Sequence, residues 1–146
     1  MEEGSNPFFM QTHSEILQNK GIRPSVQRVR ILKFLMHSKE HPTVEMIFNA
    51  LLPEMPSLSR TTVYNTVELF KEVGLVQVLD FGRGVLRYDG DLSPHSHFEC
   101  EKCGAVYDLD IKPQEISKKM PRGFKVHQTY FYVFGLCSQC KKNEKN

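Results

Sequence analysis

The chain has 146 residues, 40% apolar and 25% charged, with a net charge of +2 and four cysteines. That length buries a real core as one domain or two small ones, and the small net charge means that any affinity for nucleic acid must come from how charge is distributed. No stretch approaches a membrane span, and the polar, acidic start Met1-Glu2-Glu3-Gly4-Ser5-Asn6 speaks against a signal peptide.

A short helix is expected over about Thr12 to Asn19, closed by Gly21. A second follows Ser25 as N-cap, with Val26, Val29, Ile31, Leu32, Leu35 and Met36 as its buried face. From Ile16 to Ser38 the charged residues are all basic (Lys20, Arg23, Arg28, Arg30, Lys33), the footprint a phosphate backbone attracts, although a solvated helix face reads the same way. His41-Pro42 breaks the chain, and Thr43 opens a third helix with Val44, Ile47, Phe48 and Leu51 inward. Ser59 caps a fourth, which ends at Gly74 and buries Val63, Val67, Phe70 and Val73. Arg60, Thr61, Tyr64 and Asn65 gather at its start, off that stripe, where they can meet phosphates and base edges.

Two strands, Leu75 to Asp80 and Val85 to Tyr88, flank a tip of Phe81-Gly82-Arg83-Gly84. Helices followed by such a hairpin make the layout of a winged helix-turn-helix, with Arg83 reaching DNA from the wing tip. A small α/β domain with an ordinary exposed hairpin is the alternative. Asp89-Gly90-Asp91-Leu92-Ser93-Pro94 reads as a linker. Beyond it, strands are expected around His95 to Cys100 and Ala105 to Leu109, a helix near Gln114 to Met120, and a long last strand from Phe124 to Leu136. This second half is small for a free-standing core, a problem that metal and self-association solve.

All four cysteines fall in two matched knuckles, Cys100-Glu-Lys-Cys103 and Cys137-Ser-Gln-Cys140. Two such turns make a closed tetrahedral cage suited to structural Zn²⁺, with no open position for chemistry. Paired knuckle cysteines with none left over fit a reducing compartment, hence the cytoplasm. His95-Ser96-His97 on a strand turns both imidazoles to one face. Asp89, Asp91 and Asp108 lie nearby in sequence, and histidine with carboxylate suits Fe²⁺, Mn²⁺ or Zn²⁺ in a more open geometry. Two surface histidines on a strand are the plain alternative, and a small metallohydrolase is a remoter one, since no general base or substrate loop stands out.

Taken in order, His41-Pro42-Thr43, Arg60-Thr61-Thr62-Val63-Tyr64-Asn65-Thr66, Arg87-Tyr88-Asp89, His95-x-His97-Phe98-x-Cys100-x-x-Cys103-Gly104 and Gly135-Leu136-Cys137-x-x-Cys140 resemble the ferric-uptake-regulator family of metal-dependent transcription factors. The resemblance runs from about Gly21 to Cys140. It implies an α+β protein with a winged-helix DNA-binding domain over 1–88, a linker over 89–94 and a zinc-stapled α/β dimerisation domain over 95–146. It implies a homodimer that binds double-stranded DNA at an A/T-rich inverted repeat, with no membrane association and no enzymatic role. Structural zinc maps to Cys100, Cys103, Cys137 and Cys140, and a regulatory Fe²⁺ or Mn²⁺ to His41, Asp89, His95, His97 and Asp108. DNA contacts map to Arg23, Arg60, Thr61, Tyr64, Asn65 and Arg83.

An aspartate at 108, where uptake regulators usually carry glutamate, makes the chain look like the peroxide-sensing branch, a repressor inactivated when His41 or His95 is oxidised at an iron site. An iron- or zinc-uptake regulator of the same family is the alternative. Two departures stand out. The family's R-x-T-P-Q-R becomes Arg23-Pro24-Ser25-Val26-Gln27-Arg28. A further metal-binding histidine of some relatives is Thr129 here, with His127 two residues earlier, so that site is not assigned.

Overall fold

Side-chain oxygens cap each of the first four helices. Thr12 caps α1 (His13–Asn19) and closes a reciprocal capping box with Glu15. Ser25 caps α2 (Val26–His37), Thr43 caps α3 (Val44–Leu51) and Ser59 caps α4 (Arg60–Glu72). Gly74 follows α4 at φ 75°, the left-handed position that ends a helix. The structure, a computed structural model, describes residues 11–111 and 116–144. The polar start, and positions 112–115 at the head of the helix expected near Gln114, lie outside the described residues.

The four helices close on one core that includes Leu17, Ile31, Leu32, Leu35, Ile47, Val63, Val67, Phe70 and Tyr88. Val26 and Met36, expected in it, are exposed instead. Val26 sits in the first turn, and Ile31, Leu32 and Leu35 are the buried residues of α2. β1 (Gln77–Leu79) and β2 (Arg87–Asp89) pair antiparallel and are shorter than expected. Asp89, read as linker, is the last residue of β2 and pairs with Gln77.

The second half is a three-stranded sheet of order β4-β3-β5, with β3 Ser96–Cys100, β4 Val106–Leu109 and β5 Tyr132–Gly135. β4 runs antiparallel and β5 parallel to β3. The long final strand reduces to β5, because β3 offers partners only from His97 to Cys100. Without a ladder to join, Phe124, Tyr130 and Phe131 lie outside any strand and are exposed. The helix near Gln114 to Met120 is a 3₁₀ turn over Ile116–Lys119. A helix not expected from sequence, α5 (Ser138–Asn143), starts at Cys137 as N-cap.

The hairpin tip does not stand free. Phe81 is buried against Tyr132, ring centroids 4.9 Å apart, and a small cluster of Leu79, Phe81 and Val106 joins the two halves. No helix among the described residues is long and apolar enough to cross a membrane.

Candidate metal centres and nucleic-acid interface

Both cysteine knuckles arrive at one point. The four Sγ atoms lie within 4.8 Å of one another, and Cys103 Sγ is 3.9 Å from Cys137 Sγ. Tetrahedral Zn–S bonds of about 2.3 Å set sulfurs roughly 3.8 Å apart, so the spacing fits a cage and not a disulfide. The Gly104 N–H donates to Cys100 O and closes the first turn. The Cys137 N–H donates to Cys100 Sγ, and the Cys140 N–H to Cys137 Sγ. Backbone N–H groups of Cys103 and Cys137 pull the Cys100 thiol down to about 6, while its bond with Cys137 and burial push Cys140 up to about 12. Four thiolates repel one another unless a cation sits among them. The donor set therefore fits Zn²⁺.

The second cluster gathers side chains that are remote in sequence. His41 stands between α2 and α3, Asp89 ends β2, His95 and His97 flank the start of β3, and Asp108 lies on β4. Asp89 Oδ2 is 3.4 Å from His41 Nε2, 2.9 Å from His95 Nε2 and 3.0 Å from His97 Nε2. Asp108 Oδ1 is 2.6, 3.2 and 3.5 Å from the same three nitrogens. Neighbouring ligands on a metal with bonds of about 2.1 Å are roughly 3.0 Å apart, and these distances scatter around that value.

His95 donates Nδ1–H to the Ser93 carbonyl at 2.6 Å, which leaves Nε2 as the lone-pair nitrogen facing the cluster once its proton is lost. Among the described residues, buried Nδ1 of His41 has no hydrogen-bond partner, so the polar contacts of that ring run through Nε2. Donors of imidazole and carboxylate without sulfur, five in number, fit Fe²⁺ or Mn²⁺ and leave a sixth position. Asp108 is 45% exposed while His41, Asp89 and His97 are buried, so the open side faces solvent past Asp108.

Gly90 explains how Asp89 gets there. A Cβ at Gly90 would lie 2.7 Å from the Leu35 carbonyl oxygen, so only glycine lets β2 leave its strand pressed against α2. Burial resists protonation of His41, but the bonds and charges of Asp89 and Asp108 outweigh it and raise its pKa. His95 is raised too: burial opposes charge, and its bond to Ser93 and the nearby Asp89 carboxylate overcome that. Burial would also raise Asp89, yet hydrogen bonds from His41, His97 and the Asp91 backbone hold it well below the usual carboxylate range.

The residues expected to face DNA are on the surface but not all free. Thr61, Tyr64 and Asn65 are exposed on α4, and Arg23 is exposed before α2. Arg60 is clamped by Glu45 through two bonds of 2.6 and 2.8 Å, with its guanidinium 4.4 Å over the Phe48 ring. Arg83 bonds Glu99 Oε1 at 2.7 Å, where Glu99 is buried on β3. Arg28 of the basic stripe lines a cleft of about 360 Å³ between α2 and α4 with Ser25, Asn65 and Thr66, and with Gln27 and Thr62, which lie outside the expected DNA contacts. The motif Arg23 to Arg28 was the available signal for Gln27.

A helical half with a docked hairpin, meeting a cysteine-caged sheet at a five-residue His/Asp cluster, is the build of a metal-responsive regulator. The model of the ferric uptake regulator family matches residues 19–134, and the chain belongs to that family of DNA-binding, dimeric regulators. It is 36% identical over 135 residues to the peroxide operon regulator of Bacillus subtilis, covering 90% of this chain and 93% of that one. A solved zinc-bound manganese uptake regulator is 28% identical with a TM-score of 0.67, covering 87% of this chain and 99% of its own. The peroxide-sensing PerR of Streptococcus pyogenes is 26% identical with a TM-score of 0.52, covering 90% and 94%.

Proposed function

We propose that the chain is a homodimeric, metal-dependent transcriptional repressor that senses peroxide. The observation that carries this is the five-ligand cluster, which draws His41 and Asp89 from the helical half and His95, His97 and Asp108 from the sheet. A cation held by all five favours one orientation of the two halves, so metal and DNA binding are coupled. The units are a DNA-binding domain over 1–88, a junction over 89–94 and a dimerisation domain over 95–146. Cys100, Cys103, Cys137 and Cys140 hold zinc. Arg60, Thr61, Tyr64 and Asn65 meet an A/T-rich inverted repeat from the start of α4, and Arg23 and Arg83 contact the backbone or minor groove. Arg60 and Arg83 reach the DNA by exchanging Glu45 and Glu99 for phosphate. The protein works in the cytoplasm, where the knuckle thiols stay reduced.

A cavity of about 560 Å³ lined in part by His95, His97 and Tyr132 reaches two of the ligands, and the solvent-facing side at Asp108 gives a small oxidant a second approach. Bound Fe²⁺ would supply the reduction of peroxide beside its own ligands. His41 and His95 stand where one oxygen atom can be added, and a ligand so altered no longer ties the two halves together. Mass spectrometry of the iron form before and after low peroxide tests this. One added oxygen on a peptide containing His41 or His95, with DNA release in step and no change in the Mn²⁺ form, is expected. DNA binding restored by reductant, with histidine peptides unchanged in mass, would make this a thiol sensor or an uptake regulator instead.

A further inference from the structure

Arg87 belongs to neither metal cluster, yet its guanidinium spans the space between them. From β2 it donates Nη1–H to the carbonyls of Glu40 at 3.3 Å and His41 at 3.2 Å, and Nη2–H to the carbonyl of Gly104 at 2.9 Å. Each end matters for a metal ligand. His41 has φ 52°, the one positive φ among the described residues other than glycine, a left-handed setting that a residue with a Cβ adopts only under strain. Such a conformation persists only where its surroundings over-determine it. On the backbone, the bonds that hold it are those of Arg87 to the two carbonyls and of the Tyr88 N–H to Pro42 O at 3.0 Å, beside the side-chain contact of His41 Nε2 with Asp108 at 2.6 Å. At the other end, Gly104 completes the first zinc turn through its bond to Cys100 O.

We infer that Arg87 is a positioning residue that sets His41 for the regulatory metal and ties that setting to the folded zinc knuckle. The planar fork suits this role, because its nitrogens reach carbonyls on both sides at once, which a lysine ammonium on a flexible stem does not. Arg87 and Tyr88 directly precede Asp89, so one three-residue strand supplies a ligand and fixes the backbone of a second. Loss of Arg87 frees the 40–42 loop to leave the left-handed conformation, and His41 Nε2 then swings off the cluster.

This inference rests on the reading of the five residues as a metal site. The test is Mn²⁺ affinity, by titration of the zinc-replete dimer, for Arg87→Ala, His41→Ala and the double variant. Arg87→Ala should keep its zinc by elemental analysis and lose about tenfold in Mn²⁺ affinity. In the His41→Ala background, with no imidazole to position, the same substitution should cost nothing more. If Arg87→Ala does not fold, Arg87→Lys carries the test, with a loss of a few fold that also vanishes in the His41→Ala background. Equal losses in both backgrounds, or no loss in either, overturn the inference and leave the metal site standing. A wild-type dimer that binds no Mn²⁺ overturns both.

Discussion

In the proposed metal site, His41 is the residue on which ligation, backbone strain and the contact of the two halves meet, and replacing it separates these effects. For the intact protein, Mn²⁺ at one hundred times its Kd adds about 2.7 kcal/mol of stability. In a chain of this size that is a rise in Tm of about 5–11 °C. His41→Ala removes one of five ligands. Loss of a residue that merely supports a ligand costs 10–100-fold in affinity, so about 100-fold is expected for the ligand itself. The same Mn²⁺ concentration then equals the new Kd, and the added stability falls to about 0.4 kcal/mol, a rise of roughly 1–2 °C.

His41→Gly loses the ligand equally but relaxes the left-handed backbone, worth about 1–2 kcal/mol, less what glycine adds to the entropy of the unfolded chain. Without Mn²⁺, the glycine variant should therefore melt a few degrees above the alanine variant. Thermal scans of the zinc-replete dimers, with and without Mn²⁺, read both differences. A full Mn²⁺ shift in His41→Ala would remove His41 from the site. Equal melting of the two variants without metal would show that φ 52° costs nothing there.

Mn²⁺ binding should release protons at neutral pH. Protons hold His41 and His95 more tightly than the ordinary 6.5, so affinity should climb as pH rises through and beyond that value; calorimetry in buffers of different ionisation enthalpy counts the protons. The charged pairs of both histidines stabilise the metal-free protein at low pH and fade as pH rises through the raised values, so the gain in Tm from metal should widen over the same window. Gly90→Ala should cost about 1–3 kcal/mol, because its Cβ meets the Leu35 carbonyl, and should weaken Mn²⁺ binding through the adjacent Asp89; chemical denaturation and titration measure the two. Cys100→Ser or Cys137→Ser should lose zinc, dimer and DNA binding together, and a zinc-free, well-folded dimer by elemental analysis and size-exclusion chromatography would end the structural reading.

The parts legible in sequence are those whose signal is local. Ser25, Thr43 and Ser59 announce helices by capping the turn that follows them, and the two C-x-x-C turns announce a cage by using every cysteine. Of the regulatory set, His95, His97, Asp89 and Asp108 are legible from the H-x-H step and the carboxylates near it. His41 enters only through family motifs, since nothing in the spacing joins it to Asp108. Their 2.6 Å contact is a product of the fold. The alternating Phe124 to Leu136 segment misled because alternation shows which face a strand would bury, not whether a partner edge exists. α5 carries little signal in sequence, because it is six residues long, its N-cap is Cys137 rather than the usual hydroxyl or carboxylate side chain, and only Cys140 is buried. The contacts of Arg83 with Glu99 and of Arg87 with the Gly104 carbonyl carry no sequence signature, because each joins the hairpin to a residue of the second half, 16 or 17 positions away.

β3 serves both clusters from opposite sides. His97 and Glu99 point to one face of the strand, while Phe98 and Cys100 point to the other, with Phe98 packed on the cysteine cluster. A slip of one residue against β4 or β5 would turn a histidine toward the cage and pull the cysteine from it. A misregistered chain could therefore hold neither metal in its proper set of donors. The strand acts as a two-sided key: the tightly kept ion certifies the alignment on which the exchangeable one depends, so a molecule able to respond is one whose folding has already been checked.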